Sequence, residues 1–387
     1  MQTRYTSRAM KTIILYTDTP QVGGAELQMF LLAKFLDKTK FKPILVCSNY
    51  SALDKWCENF EKENIKVVRL NVKSKHDPKH YFGLKKAIKE SAADVLHLHI
   101  WNPASCRYAL MLAKSVKIPT VITEHDPFEL SYLKTLFKNR YLRAISKIIA
   151  VSEENAKILK KLYPLQKSKI DFIHNGIDID WWQSQILRFT EEDEHEIKIH
   201  LFGGEKDTIF ITTIAELHER KGINFLIDAF AKIAPKFPQA KLIIVGGGGE
   251  KDALEKQIDK LKLRGRALLL GRQKEIPKIL KCSSVFVLPS KREAFGYVLL
   301  EAMVTHLPIV ASRVGGISEV VEDKATGLLV EPENAESFAK ALSSLLKDPE
   351  KRLQMAENGF KRVTEKFSAK VMAKKYEKLY EKSASIE

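Results

Sequence analysis

Short apolar runs alternate with helix-like stretches along nearly the whole chain, and this alternation restricts the possible folds more than any other feature. The first series begins with the run Thr12–Tyr16 and ends with Lys147–Val151, and a second series extends from Thr208–Ile214 to Leu328–Val330. Strands that alternate with helices of this length form βαβ units and a parallel sheet. The sequence therefore predicts an α/β protein with two doubly wound, Rossmann-like domains that face a cleft.

The domain boundaries are predicted where this alternation breaks. The segment 179–206 contains two tryptophans and an acidic run but no clear strand, so we interpret it as a linker. The first domain then covers 1–178, the second covers 207–365, and residues 366–387 form a final helix. In open parallel sheets ligands bind at the carboxyl ends of the strands, so the residues at those ends are the candidates for chemistry.

The composition is that of a globular protein, because 45% of the 387 residues are apolar and 29% are charged. The four cysteines are scattered without a C-x-x-C pair, which fits a reducing compartment and gives no support for a zinc cluster. No apolar run approaches the ~18 residues needed to span a bilayer, and the polar N-terminus has no secretory signal pattern. We expect a cytoplasmic protein, either soluble or peripheral on the inner face of the cell membrane.

Positive charge is concentrated in the first half of the chain. The net charge is +16, and residues 1–180 hold 30 Lys and Arg against 18 Asp and Glu. Within 128–170 a predicted helix carries an apolar stripe and separate basic residues. The stripe is Tyr132, Leu133, Leu136, Phe137 and Tyr141, and the basic residues are Lys134, Lys138, Arg140 and Arg143. This pattern predicts docking on an anionic membrane surface, and a core-packed helix with a solvated basic rim is the equal alternative.

Two glycine-rich turns follow predicted strands. Gly23 and Gly24 open a helix, and Gly246–Gly249 follow the strand Leu242–Val245. Neither turn matches G-x-G-x-x-G, and G-x-x-x-x-G-K-[ST] is absent, which argues against a nicotinamide, a flavin or P-loop hydrolysis. Contact between backbone N–H groups and a phosphate stays open, with a plain tight turn as the alternative.

Histidines lie at the ends of two other predicted strands. His125 follows Thr120–Thr123, where it can donate a hydrogen bond to a sugar hydroxyl or a developing oxyanion. The alternative is a histidine that is satisfied by neighbouring polar groups. His97 and His99 alternate along a strand and so face the same side, but no third ligand lies at suitable spacing. We therefore predict no metal site.

The densest polar group extends from Glu293 to Glu301, after the predicted strand Val285–Leu288. Gly296 opens a helix between the two glutamates, and backbone N–H groups at a helix start attract anions. Carboxylates accept hydrogen bonds from hydroxyls, so the group suits a ligand with both hydroxyls and phosphates. Taken singly, either glutamate could be a cap or a surface residue. The Gly315–Gly316 turn after the next strand favours the functional interpretation.

These motifs resemble the retaining nucleotide-sugar glycosyltransferases of family four, which have the GT-B fold. The most specific element is E-x7-E, from Glu293 to Glu301, with Phe295-Gly296 inside it. The other matching elements are Gly23-Gly24-Ala25-Glu26, His125, Ile173–Asp178, Lys221-Gly222 and Val314–Glu319. The resemblance covers roughly Thr12 to Gly327.

The resemblance implies that the second domain binds a nucleoside diphosphate sugar. Glu293 would hold the donor sugar's hydroxyls, Glu301 the ribose, and Lys221 would neutralise the diphosphate. His125, the third catalytic residue implied, would contact the donor from the first domain, and the last helix would cross back onto that domain. The implied donor-binding residues are Gly23, Gly24, Arg220, Phe295, Gly296, Tyr297, Val298 and Glu301.

One element departs from the family pattern. The family has G-R-L before its Lys-Gly pair, whereas this chain has Ala215-Glu216-Leu217. A carboxylate cannot replace a guanidinium beside a phosphate. Either Arg220 or Arg272 supplies the missing charge, or the diphosphate is held less tightly, and Glu216 could pair with a nearby arginine.

The expected function is transfer of a sugar to an acceptor hydroxyl with retention at the anomeric carbon, in polysaccharide, lipopolysaccharide or glycolipid synthesis. We expect a sugar or lipid-linked acceptor and no cofactor. No metal is needed because the departing phosphate oxygen can take the acceptor's proton. The alternatives are a GT-B enzyme that is not a transferase, such as a UDP-sugar epimerase or a phosphorylase, and a basic nucleic-acid-binding protein. Nothing marks a pyridoxal phosphate lysine or a nucleic-acid recognition element, so no nucleic acid partner is expected. The sugar, the base, the acceptor and the linkage stay open.

Overall fold

The computed structural model describes residues 10–202 and 208–383, apart from some side chains in two of its helices, among them that of Tyr132. The chain divides into two compact units. The first unit consists of Met1–Gly176 and Ala369–Glu387, and the second of Ile177–Ser368. Both contain a parallel sheet with helices on its two faces, so the predicted fold class is confirmed.

The first unit has a seven-stranded sheet in the order β3-β2-β1-β4-β5-β6-β7, with every pair parallel. Its strands are β1 (Lys11–Tyr16), β2 (Phe41–Ser48), β3 (Lys66–Leu70), β4 (Val95–Ile100), β5 (Thr120–Glu124), β6 (Lys147–Ala150) and β7 (Ile170–Phe172). Its helices up to Gly176 are α1 (Gly24–Phe35), α2 (Asp54–Lys62), α3 (Lys79–Ser91), α4 (Arg107–Ala113), α5 (Tyr132–Leu142) and α6 (Glu153–Leu162).

The second unit has a six-stranded parallel sheet in the order β10-β9-β8-β11-β12-β13. Its helices are α7 (Ile179–Ile186), α8 (Glu191–Phe202), α9 (Ile223–Ile233), α10 (Lys251–Lys260), α11 (Ile276–Lys281), α12 (Tyr297–Val304), α13 (Ile317–Val320), α14 (Ala335–Lys347) and α15 (Pro349–Lys366). Its strands are β8 (Ile209–Ile214), β9 (Ala240–Val245), β10 (Ala267–Gly271), β11 (Val285–Leu288), β12 (Ile309–Ser312) and β13 (Gly327–Val330).

The last helix, α16 (Ala369–Ser383), belongs to the first unit although it follows the second in the sequence. It packs against α1, and its residues Tyr376 and Tyr380 are buried in the core on that face of the sheet. The first unit is therefore built from two segments of chain.

The central strands are buried on both faces, as the continuous apolar runs predict. All six residues of β4 and all four of β11 are buried. A strand that is covered on both faces offers polar groups to a ligand only beyond its ends. The functional side chains are therefore expected in the loops at the carboxyl edges of the two sheets.

The segment predicted as a linker is instead mostly helical and belongs to the second unit. Helix α7 begins after Asp178, whose side chain accepts a hydrogen bond from the Trp181 amide. The acidic run forms the first turn of α8, where the helix dipole favours negative charge. Lys278 and Lys281 pair with carboxylates of that turn. Residues 203–206 of the predicted linker lie outside the described residues.

Candidate functional site

In the second sheet the strand order reverses between β8 and β11, and the loops that follow these two strands are in contact. The loop after β8 contains a 3-10 turn, Glu219–Lys221. The Lys291 amide, after β11, donates to the Arg220 carbonyl over 2.8 Å. Gly222 has a φ of +62°, and a Cβ there would lie 2.2 Å from the Pro289 carbonyl oxygen. Only glycine therefore allows these loops to approach so closely.

Lys221 and Glu293 form an ion pair at this edge of the sheet. The Lys221 Nζ lies 2.5 Å from the Glu293 Oε2, and the two side chains are 13% and 11% exposed. The Ser290 hydroxyl donates to the same oxygen over 3.2 Å. Lys221 and Glu293 were predicted as site residues from the sequence, whereas Ser290 was not. The only signal for Ser290 was its place directly after β11.

A glycine pair supports the backbone of Glu293. The Gly316 amide donates to the Glu293 carbonyl over 3.2 Å. A Cβ at Gly315 would lie 2.1 Å from that carbonyl oxygen, and one at Gly316 would lie 2.4 Å from the Ala294 carbonyl oxygen. The Gly315–Gly316 turn therefore holds the loop that carries Glu293 by close backbone contact.

Helix α12 begins directly after this loop. Gly296 is its N-terminal cap with a φ of +79°, so the positive end of the helix lies close to Glu293. Tyr297 and Val298 are partly exposed in the first turn. The Phe295 side chain is buried edge-on against Phe367, with ring centroids 6.0 Å apart, and so serves packing. The helix start is thus an environment that favours an anion.

Glu301 lies one turn further along α12, on the same side as Tyr297. Its carboxyl is largely removed from solvent, and burial raises its pKa to about 8. The Glu301 carboxyl therefore keeps its proton to a higher pH than an ordinary glutamate does.

This shift predicts how stability depends on pH. In the unfolded chain the Glu301 carboxyl loses its proton near pH 4.5. In the folded protein the same carboxyl keeps its proton up to about pH 8. The unfolded state binds fewer protons in this window, so the stability contributed by Glu301 falls as pH rises through it. We expect Glu301→Gln to raise the melting temperature relative to wild type at pH 8 but not at pH 4.5. An equal difference at both values, measured by thermal unfolding, would contradict the shift.

The loop after β9 approaches the same edge. Gly246 has a φ of +139°, and a Cβ there would lie 1.8 Å from the Ala215 carbonyl oxygen. A Cβ at Gly248 would lie 2.3 Å from the Leu217 carbonyl oxygen. Because these glycines lack side chains, the backbone of the loop after β9 can contact the backbone of the loop after β8 directly.

The two arginines proposed to replace the family's arginine both lie in loops at this edge. Arg220 is partly buried in the turn that carries Lys221. The Arg272 Nε lies 3.3 Å from the place that a Cβ would take at Gly247. Glu216 is exposed and makes no ion pair with the described residues, so the predicted pairing of Glu216 with an arginine is not seen.

In the first sheet the strand order reverses between β1 and β4. After β1, Gly23 and Gly24 are exposed, and α1 begins at Gly24. The Gly23 amide donates to Glu26 Oε2 over 3.0 Å, and nothing lies within 4 Å of a Cβ built at Gly24. The turn therefore presents accessible backbone at a helix start, although the Gly23 amide is already bonded to Glu26.

The three histidines selected from the sequence form a buried group. His99 Nδ1 lies 3.2 Å from His125 Nε2, and the His97 and His99 rings are 4.2 Å apart. Burial lowers the pKa of His125 and of His97 to about 3 and that of His99 well below its usual value. All three are therefore neutral at physiological pH. No group of three or more His, Cys, Asp or Glu among residues 10–202 and 208–383 is arranged to hold a metal ion.

Asp18, after β1, is a polar residue at this edge that was not predicted from the sequence. It is 2% exposed and accepts hydrogen bonds from Trp101 Nε1 (3.0 Å) and from the Cys106 amide (2.7 Å). Burial raises its pKa. Asp18 thus ties the loop after β4 to the end of β1.

Helix α5 exposes three of its large apolar side chains and buries one of its lysines. Leu133, Leu136 and Phe137 are 75%, 58% and 40% exposed. Lys138 is buried and donates to Glu124 Oε1 over 2.9 Å, because the buried carboxylate at the end of β5 needs a cation. The prediction that Lys138 belongs to a solvated basic face was therefore wrong. In the part of the chain that the structure describes, no helix is long and apolar enough to cross a bilayer.

Proteins that are similar to this chain in sequence and in fold identify its family. A glycosyltransferase from Rickettsia africae ESF-5 superposes with a TM-score of 0.85 at 21% identity and covers 98% of this chain and 100% of its own. The models Glycosyltransferase Family 4 and Glycosyl transferases group 1 match residues 22–181 and 195–362. The N-acetyl-alpha-D-glucosaminyl L-malate synthase of Bacillus anthracis is 31% identical over 74% of both chains. The chain belongs to the family 4 glycosyltransferases.

This glycosyltransferase is accordingly an enzyme of the hexosyltransferase type with the GT-B fold. A further relative is the UDP-Gal:alpha-D-GlcNAc-diphosphoundecaprenol alpha-1,3-galactosyltransferase of Escherichia coli, 25% identical over 85% of this chain and 86% of the relative. HepE of Anabaena, solved in complex with UDP, superposes with a TM-score of 0.80 at 22% identity and covers 96% of this chain and 100% of its own. These comparisons confirm the family and fold that the motifs indicated.

Proposed function

We propose that this glycosyltransferase moves a sugar from a nucleoside diphosphate sugar to an acceptor hydroxyl with retention at the anomeric carbon. The Lys221–Glu293 pair beside the start of α12 carries this proposal, because it joins a cation, a carboxylate and a positive helix end in one place. The carboxylate suits sugar hydroxyls, and the other two suit a diphosphate. Glu301 takes the ribose, and His125 hydrogen-bonds the donor.

Loss of the diphosphate is the difficult step of this reaction, since negative charge develops on the leaving oxygen. Lys221 and the N-terminus of α12 stabilise that charge more strongly than the charge of the bound donor, which lowers the barrier. Arg220 and Arg272 lie in adjoining loops, and in this proposal they add positive charge beside the diphosphate. The departing phosphate oxygen then accepts the acceptor's proton, so the reaction needs no protein base and no metal ion.

A thermal-shift panel of UDP, GDP and ADP with their sugars tests the proposal. A ligand at about 100 times its Kd stabilises the fold by about 2.7 kcal/mol, which is an easily measured shift. The nucleotide that shifts the melting temperature is then used to assay transfer with and without EDTA. Loss of transfer in EDTA with recovery in Mn²⁺ would overturn the metal-free mechanism. Release of free UDP and sugar without any acceptor would indicate an epimerase instead.

We propose further that the acceptor is lipid-linked and that the enzyme docks on an anionic membrane through 128–170, as a peripheral enzyme of polysaccharide, lipopolysaccharide or glycolipid synthesis. The outward apolar residues of α5 support this, because a helix that points leucines outward and a lysine inward exposes an apolar surface of the kind that inserts between lipids. The neighbouring basic side chains Lys134, Arg140 and Arg143 are exposed and form no ion pair with the described residues. They suit anionic headgroups.

Replacing both Leu133 and Phe137 with serine is expected to lower binding to phosphatidylglycerol vesicles at least tenfold, since burial of each side chain contributes about 1.5–3 kcal/mol. Co-sedimentation at low and high salt measures the loss. Leu353→Ser on α15, which changes a leucine that is 63% exposed in the second unit, is the matched control. Equal binding of the control and the double variant, or equal binding to neutral vesicles, would contradict membrane docking by α5.

A further inference from the structure

His99 makes a single side-chain hydrogen bond with the described residues, and that bond is to His125. The neighbouring His97 uses both ring nitrogens elsewhere, because its Nδ1 lies 2.6 Å from the Tyr380 hydroxyl and its Nε2 lies 2.8 Å from the Thr123 hydroxyl. His97 therefore only stacks on His99, with the rings tilted by 38°. Of these two histidines, His99 is therefore the one that hydrogen-bonds His125, through the 3.2 Å contact between His99 Nδ1 and His125 Nε2.

The other nitrogen of His99 decides where the proton lies. His99 Nε2 is buried and has no hydrogen-bond partner among the residues that the structure describes. A neutral imidazole carries one proton, on either Nδ1 or Nε2. A proton on Nε2 would be a buried donor without an acceptor. A proton on Nδ1 instead leaves Nε2 with only an unused lone pair. Orphaned buried N–H groups are the rarer of the two, so the proton belongs on Nδ1.

We propose that His99 is a positioning residue that donates its Nδ1–H to His125 Nε2 and thereby fixes His125 as the tautomer with its proton on Nδ1. The Nδ1 of His125 forms no hydrogen bond with the described residues, so its N–H is available to an oxygen of the substrate. The contact between this N–H and the substrate rests on the proposed function, whereas the tautomer of His125 does not.

His125 then acts as a neutral hydrogen-bond donor rather than as a proton shuttle. Burial disfavours the charged imidazolium, in agreement with the lowered pKa values of His99 and His125. Free imidazole side chains in water favour the proton on Nε2, the opposite of the tautomer proposed here. His99 thus supplies an orientation and a proton position that His125 would not adopt alone.

Nitrogen NMR of protein labelled with ¹⁵N-histidine tests the tautomer directly. In the wild type we expect a protonated, pyrrole-type Nδ1 and an unprotonated, pyridine-type Nε2 for His125. In His99→Leu, which keeps the size but removes the donor, we expect the pattern to reverse. In His99→Asn, whose amide can lie where Nδ1 lay, we expect the wild-type pattern. Tyr380→Phe, which removes a partner of His97 and none of His99, is the control and should leave His125 unchanged.

Kinetics separate positioning from a purely structural role. We expect kcat to fall about tenfold in His99→Leu, the effect of one hydrogen bond in the transition state, and to recover in His99→Asn with little change in the KM of the donor. The shift of melting temperature caused by the nucleotide should be the same in both variants.

A pyrrole-type Nε2 on His125 of the wild type would overturn the proposal, and this result requires no variant to fold. An unchanged His125 pattern in a folded His99→Leu would overturn it as well. If no nucleotide shifts the melting temperature of the wild type, the proposed function fails while the NMR result still decides the tautomer.

Discussion

Replacing Glu293 with glutamine is expected to lower the rate of glycosyl transfer by about 10²–10³-fold, the usual effect of losing a preorganised electrostatic group. The variant loses the carboxylate that would hold the sugar hydroxyls and leaves Lys221 without its partner at 13% exposure. The free energy of unfolding should fall by only about 1–3 kcal/mol, because the amide can still accept a hydrogen bond from Ser290. Steady-state transfer assays and urea unfolding measure the two effects.

Glu219→Gln is the matched control for this experiment. Glu219 lies two residues from Lys221 and pairs with Lys291, but its side chain is 76% exposed. An exposed pair of this kind contributes about 0–1 kcal/mol, and no role in binding the donor is assigned to it. If Glu219→Gln lowers transfer as much as Glu293→Gln does, the effect comes from charge in general and not from the Lys221–Glu293 pair.

Gly246→Ala is expected to destabilise the second unit by about 3–5 kcal/mol, at the upper end of single substitutions. The residue combines a φ of +139° with an approach of 1.8 Å between a Cβ and the Ala215 carbonyl oxygen. Alanine would be strained in its backbone and would also push the loop after β8 away from β9. Urea unfolding of both proteins under the same conditions gives the difference.

Gly249→Ala, three residues later in the same turn, separates this contact from a general effect of removing glycine. Nothing lies within 4 Å of a Cβ built at Gly249, and its φ lies outside the positive range. Its stability should change by no more than about 1 kcal/mol in either direction. Equal losses in the two variants would refute the close-contact explanation.

The strands could be predicted from the sequence because parallel strands buried on both faces appear as short apolar runs. Val285–Leu288, for example, was predicted with its observed bounds. The strand β7 was missed, since in Ile170–Phe172 only the first residue is fully buried. Helices α7 and α8 were also missed, because the segment 179–206, which has no clear strand, was interpreted as a linker. Its acidic run is instead the first turn of a helix that pairs with lysines on α11.

The candidate site could be predicted as a set of residues but not as a set of contacts. Motif spacing indicated Lys221 and Glu293, 72 positions apart, yet nothing in the spacing predicts that they form an ion pair. The inward direction of Lys138 likewise depends on Glu124, a partner from another element. Such pairings arise only when loops from different strands meet.

The placement of α16 has a consequence for biosynthesis. The first unit contributes the opening 176 residues, but Tyr376 and Tyr380, which cover His97, leave the ribosome only after the entire second unit has been made. During translation the part of the first sheet that α16 covers therefore stays exposed, although α1 and α2 already pack on the same face. At this stage chaperones and aggregation compete for the exposed apolar surface. Completion of the surroundings of His97 is then among the last events in the maturation of the polypeptide.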